Sequence, residues 1–330
     1  MTLSAQRRVV IETVALAAAS LLFYRLGFLL FLFMVPLQVL YLRRGARPFL
    51  SALVGVFLGF VVMRVVQIIA LSAELERVNP LLLSADLVIP LGLLGGMALV
   101  NLQPGGRLHS VYRVLLAAGL LTALTAPIVW VIGRSPELLE AVITQFEQVY
   151  ELVRETAGDA GAAMPQFEEG EFESMFLQAV QVLLRTYVFA FTVLLLANWF
   201  IGNAFAGTWL RNPRALHRFE VPNRLLWPSL LAWAGALATR FVGLGAAEYV
   251  VWNFGLICVM LYAVQGLSIM RFLFDRYGFG RVSRAVILGG MILMLFMQGL
   301  NVVLVIGIAL LGVSENWVEF NRFERSGENL

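Results

Sequence analysis

Four charged side chains stand where this chain is otherwise apolar: Arg64, Asp86, Arg185 and Arg240. A guanidinium offers a planar fork of donors suited to a carboxylate or a phosphate, and a carboxylate beside it can orient it or neutralise it. A lone charge at the middle of a bilayer costs at least ~2.5 kcal/mol on insertion scales, so each of these residues calls for a partner, water or a ligand. Arg64 and Asp86 belong to consecutive apolar runs joined by a polar connector, residues 72–79. Arg64 lies eight residues before Ser72 and Asp86 six after Pro80. At ~1.5 Å per residue both sit about 9 to 12 Å deep from the same side. Two readings are open. In one, Arg64 and Asp86 form a helix-locking pair while Arg185 and Arg240 snorkel outward. In the other, Arg64, Arg185 and Arg240 draw an anionic group into a cavity and Asp86 orients Arg64.

The elements that must position these charges are membrane spans. Sixty per cent hydrophobic and 14% charged residues over 330 exclude an ordinary soluble domain. Apolar runs near the ~20 residues that cross a bilayer recur along nearly the whole chain. They occupy 9–24, 27–42, 49–72, 80–101, 114–133, 176–207, 225–243, 248–274 and 285–312. Short alternating barrel strands are absent. The expected fold is all-α, a polytopic transmembrane helical bundle of about 8–10 membrane segments. It divides into an N-terminal membrane half (1–133), an extracytoplasmic acidic amphipathic loop (134–173) and a C-terminal membrane half (174–330) ending in a short polar tail.

Sidedness follows from arginine. With the N-terminus in the cytoplasm, the cytoplasmic connections hold Arg43, Arg44 and Arg47, then Arg107 and Arg113, then Arg211, Arg214, Arg218 and Arg224, then Arg276, Arg281 and Arg284. The opposite connections hold only Arg25, Arg77, Arg134 and Arg154. The positive-inside rule thus predicts a multi-pass membrane protein with a cytoplasmic N-terminus, with Arg64, Asp86, Arg185, Arg240 and Arg25 in its outer half. The first two runs, joined by residues 24–26, make either a tight hairpin or two shortened spans. The last run, with Gln298, Gly299 and Asn301 at its centre, is either one tilted span or two half-helices. In the loop 134–173, Leu138, Leu139, Val142, Ile143, Phe146, Val149, Tyr150 and Val153 recur at helical spacing against Glu140, Glu147, Glu151 and Glu155. This predicts a helix packed on the protein's own outer surface, or else a solvated spacer.

Catalytic constellations are poor. His109 and His217 lie in arginine-rich connections with no carboxylate or ligand cluster at motif spacing. Cys258 sits inside an apolar run. Phosphate-binding loops, dinucleotide fingerprints and metal motifs do not appear. No enzyme activity, cofactor or metal is expected, and the basic loops are explained by orientation rather than by nucleic acid. Arg7 and Arg8 before an apolar run mimic a signal peptide, but the next run follows at once and cleavage is not expected. Small-residue spacings at Ala15–Ala19 and Gly55–Gly59, and the pair Gly95 and Gly96, allow close helix contact within the protein or with a partner.

Several stretches together resemble the YybS-like family of polytopic bacterial membrane proteins. They are GFLLFLFMVPLQVLYLRRGARP, DLVIPLGLLGGMALVNLQPGGR, LANWFIGNAFAGTWLRN, HRFEVPNRLLWPSLL and AVQGLSIMRFLFDRYG, with the tail ENWVEFNRFER, where Asn321 replaces the usual Arg. That family's defining domain has no assigned function. It is distantly similar, mainly in the first half, to the S components of energy-coupling-factor vitamin transporters. The resemblance implies a membrane-embedded small-molecule binder or permease-like protein. It also matches Ala15 and Ala19 to the helix face on which S components dock a coupling subunit. The function expected is binding or transport of a small, anionic molecule. The alternative is a non-transporting membrane scaffold or assembly factor.

Overall fold

The computed structural model describes residues 3–70, 80–102, 109–156, 170–207 and 219–318. Among them are eleven α-helices and no strand. Five helices are long and apolar enough to cross a membrane, at Ala46–Gln67, Val111–Ile128, Glu171–Phe205, Ala246–Arg276 and Leu300–Val318. Contacts gather the chain into two compact units, residues 1–106 with 114–195, and residues 107–113 with 196–330.

The first unit opens with α1 (Leu3–Arg25), a 3₁₀ helix (Gly27–Leu32) and α2 (Val35–Arg44). The first two apolar runs are therefore a hairpin whose second limb is broken at residues 33 and 34. Pro36 suits the first turn of α2, where its missing N–H costs nothing. Gly45, at φ +84°, ends the helix. Residues Val35, Pro36, Leu37, Gln38, Val39 and Leu40 are all buried, so α2 packs inside the unit. Ser20 Oγ donates to the Phe33 carbonyl at 2.6 Å, pinning the hairpin. At its other end Glu12 of α1 receives Arg44 at 2.5 Å and Arg43 at 3.7 Å.

Helix α3 (Ala46–Ala70) runs parallel to α1, with Leu21 against Gly59 and Tyr24 against Phe60. A Cβ on Gly59 would meet Leu21 at 2.6 Å, whereas Gly55 faces open space, so only one of that glycine pair makes a close contact. On α4 (Pro80–Asn101) the packing glycines are Gly92 and Gly96, one turn apart. Gly92 accommodates Leu121 of α5 (Ser110–Arg134), and Gly96 lies against Leu195 of α7 (Glu171–Phe205). Gly95 touches nothing. The buried Asn101 amide donates to Gln38 Oε1 at 2.5 Å, and Tyr41 Oη donates to the Asn101 carbonyl at 2.7 Å. In apolar surroundings such groups are tolerated only when paired, so this cluster fixes α2 against α4.

Between α5 and α7 lies α6 (Pro136–Thr156), the amphipathic helix of the acidic loop. Its Phe146 and Tyr150 rings meet Phe176 and Phe172 at the start of α7, at 5.4 and 5.9 Å. The 35 residues of α7 extend about 50 Å at ~1.5 Å per residue, well beyond a ~30 Å hydrocarbon layer. Its first turns are thus free to pair with α6.

In the second unit, α8 (Leu226–Ala238) leads to α9 (Ala246–Arg276), α10 (Arg281–Phe296) and α11 (Leu300–Val318). The last apolar run is two helices, separated at residues 297–299 where Gly299 adopts φ +82°. Helices α9 and α11 cross backbone to backbone. A Cβ built on Gly266 would fall on the Ile308 carbonyl, and one on Gly312 would fall on that of Tyr262. Lipid supplies no hydrophobic force between helices, and small residues that let backbones meet supply the packing instead. Beside this crossing, the buried Gln265 accepts the Val221 N–H at 2.8 Å, anchoring the segment that enters α8. At the turn from α9 to α10, Arg284 reaches Asp275 at 2.5 Å and the Phe279 carbonyl at 2.8 Å.

Candidate functional site

The parallel pair α1 and α3 builds a cleft at one end of the first unit. Phe60, Met63, Arg64 and Gln67 recur at spacings of three and four and so share one face of α3. Opposite them, the last turn of α1 contributes Tyr24 and Arg25, and α4 adds Leu87. The volume of this half-open cleft is about 120 Å³. Arg64 is half-buried, and its Nη1 donates to Gln67 Oε1 at 3.1 Å, one turn ahead on the same helix. Arg25 is exposed at the C-terminus of α1, where the helix dipole favours a cation. Two arginines, a glutamine and a tyrosine thus line one cleft, residue types whose donors suit an oxyanion.

A second cavity, of about 190 Å³, adjoins the first. Its walls are Tyr24, Leu30, Phe31, Phe33, Met34, Ile89, Pro90, Leu93 and Leu194. Tyr24 belongs to both. Its ring lies 4.4 Å from that of Phe60, on the polar side, and 5.8 Å from that of Phe33, on the apolar side. Phe33 and Phe60 are themselves 5.9 Å apart. Three aromatic rings in mutual contact therefore lie where the two sets of lining residues meet.

Of the four charges singled out from sequence, Arg64 lines this cleft. Asp86 stands on α4 immediately before Leu87, and its side chain lies outside the described residues. Arg185 is half-buried on α7 and is not among the residues lining either cavity. Arg240 is exposed just after α8 in the second unit, its backbone N–H bonded to the Leu237 carbonyl at 3.1 Å. The arginine that lines this cleft together with Arg64 is Arg25, whose place in the hairpin between the first two runs was visible but whose distance along the chain gave no reason to pair them. Gln67 went unremarked, although a polar residue one turn after an intramembrane arginine is a readable signal. Glu12, inside the first run and held by Arg43 and Arg44, is a further acid beside Asp86 that sequence reasoning passed over. Ala15 is exposed on α1 beside Ile11, Val14 and Leu22, and Ala19 is half-buried.

Compared with known proteins, residues 11–311 match the family described as "Predicted membrane protein (DUF2232)". No curated protein and no solved structure matches the chain. The more distant likeness to S components has no counterpart among these findings, whereas the YybS-like reading is consistent with the family match. With a match over nearly its whole length and five helices able to cross a bilayer, the chain belongs to the DUF2232 family of predicted membrane proteins.

Proposed function

We propose that this protein binds a small anionic molecule at the cleft between Arg25 and Arg64 in a bacterial cytoplasmic membrane. The supporting observation is that Arg25 and Arg64 line one cleft, with Gln67 holding Arg64 at 3.1 Å. Charge-assisted, forked hydrogen bonds of this kind are strong and directional for carboxylate or phosphate. With the N-terminus in the cytoplasm, as the arginine bias favours, α1 delivers Arg25 to the outer face and the ligand approaches from outside. The reading involves binding without chemistry. Transport would further require a coupling partner, for which the exposed face around Ala15 and Ala19 is the place to look.

The test is a thermal-shift screen of the purified protein and its Arg64→Gln variant against carboxylates, phosphates and vitamins. A ligand present at a hundred times its Kd adds about 2.7 kcal/mol to the folded state. At least one anion should raise the melting temperature of the wild type and leave the variant unmoved. If none of these compounds stabilises the wild type, the binding reading falls and the scaffold reading takes its place.

A further inference from the structure

We propose that the ligand is an amphiphile, a single-chain lipid whose carboxylate or phosphate monoester sits at Arg25 and Arg64 while its chain fills the adjoining apolar cavity. This rests on the anion-binding reading above and names the ligand class. The first ground is adjacency: the two volumes share Tyr24, so a molecule passing that ring contacts both. The second is complementarity. One compartment carries two cations, and the other is walled, apart from Tyr24, by aliphatic, aromatic and thioether side chains. The third is size. At about 120 and 190 Å³ neither compartment alone reaches the range of small-molecule pockets, but together they meet its lower end of ~300 Å³. The fourth is access. Phe31 and Ile89, at the rim of the apolar compartment, are 61% and 38% exposed. In a membrane-embedded unit such apolar rim residues meet lipid, so a chain can enter sideways from the bilayer. A purely polar anion leaves the apolar compartment unused, and a neutral lipid leaves the arginines unused.

The experiment uses the full-length protein in phosphatidylcholine nanodiscs with a dodecyl phosphate bearing a diazirine near the chain end. After illumination, labelled positions are mapped by peptide mass spectrometry, and propyl phosphate is tested in parallel by thermal shift. Cross-links should concentrate on residues 30–34 and 89–94. Excess unlabelled dodecyl phosphate should displace them, and dodecylphosphocholine, similar in chain but zwitterionic, should not. Losing a charge-assisted contact should cut the labelling about tenfold in Arg64→Gln. Arg25→Gln, at an exposed position, provides a second variant should Arg64→Gln misfold, as judged by size exclusion. Ile89→Trp should fill the apolar rim and remove the labelling while leaving the propyl phosphate shift intact. If labelling of those segments is insensitive to both arginine variants, or dodecylphosphocholine competes equally, the compartment merely holds bulk lipid and the amphiphile proposal is wrong. If propyl phosphate stabilises through Arg64 but no label reaches the cavity, the amphiphile proposal fails and the anion reading stands. If neither occurs, both fall.

Discussion

The two units solve the problem of packing apolar helices in different ways. In the second, α9 and α11 close on each other through Gly266 and Gly312 until side chains are excluded from the crossing. In the first, α1 and α3 touch through Leu21 and Gly59, and beyond that contact the Tyr24, Phe33 and Phe60 rings stand between them beside both cavities. A glycine crossing gives rigidity with no room for a ligand. An aromatic wedge keeps helices apart at modest cost, because rings pair edge to face with one another. The proposed ligand site therefore falls in the first unit, and the glycine crossing of the second is read as framework.

That contrast can be broken most severely at the crossing itself. Gly312→Leu or Gly266→Leu should be the most destabilising changes in the protein. Overpacking costs ~1–3 kcal/mol where side chains can yield, and more where the obstacle is backbone, as here. Unfolding of the nanodisc protein in denaturant should show it, and a tolerated leucine would mean that the crossing is not closed. Next comes Gln265→Leu. It leaves the buried Val221 N–H without its acceptor, a loss of ~1–3 kcal/mol, and should loosen the segment before α8, seen as faster hydrogen exchange at Val221. In the first unit, Asn101→Leu removes the donor to Gln38. Membrane hydrogen bonds of this kind contribute ~0.6–2 kcal/mol, so a smaller drop is expected by the same denaturation. The smallest effect belongs to Arg284→Ala. Its ion pair with Asp275 is partly exposed, and pairs of that kind contribute ~0.2–1 kcal/mol. A loss as large as that of Gly312→Leu would overturn the ranking.

How far the sequence carries these conclusions depends on the distance over which each feature acts. Span-length apolar runs are legible because the bilayer fixes their length, and the helix of the acidic loop because its periodicity is local. The stretches HRFEVPNRLLWPSLL and AVQGLSIMRFLFDRYG were readable as family signatures, and their physical role emerged only in space. Gln265 holds Val221, and Gly266 meets a glycine 46 residues further on, a partner that no local pattern specifies. Glycine spacing was a partial guide: Gly59 and Gly96 pack while Gly55 and Gly95 do not, since which face turns inward is set by the neighbours. Arg64 stood out as a charge in an apolar run. That it lines one cleft with Arg25 depends on the 3₁₀ turn and the short α2, which let α3 return parallel to α1, and the two readings of that hairpin differ in this respect. Arg185 shows why a run's end is a poor depth marker. The run counted from residue 176 belongs to a helix that begins at Glu171 and exceeds the bilayer, so its register in the membrane is not fixed by counting from the run's end.

The central claim is that the cleft in the first unit attracts anions, and it can be tested without knowing the ligand. Cys258 is the sole cysteine, so Cys258→Ala with Gln67→Cys places one thiol in the cleft beside Arg64. Its modification by an anionic thiosulfonate and a cationic one of similar size would be timed in nanodiscs, with and without Arg25→Gln. The account predicts faster reaction with the anionic reagent and a preference that shrinks when Arg25 is neutralised. Equal rates, or a preference for the cationic reagent, would contradict it.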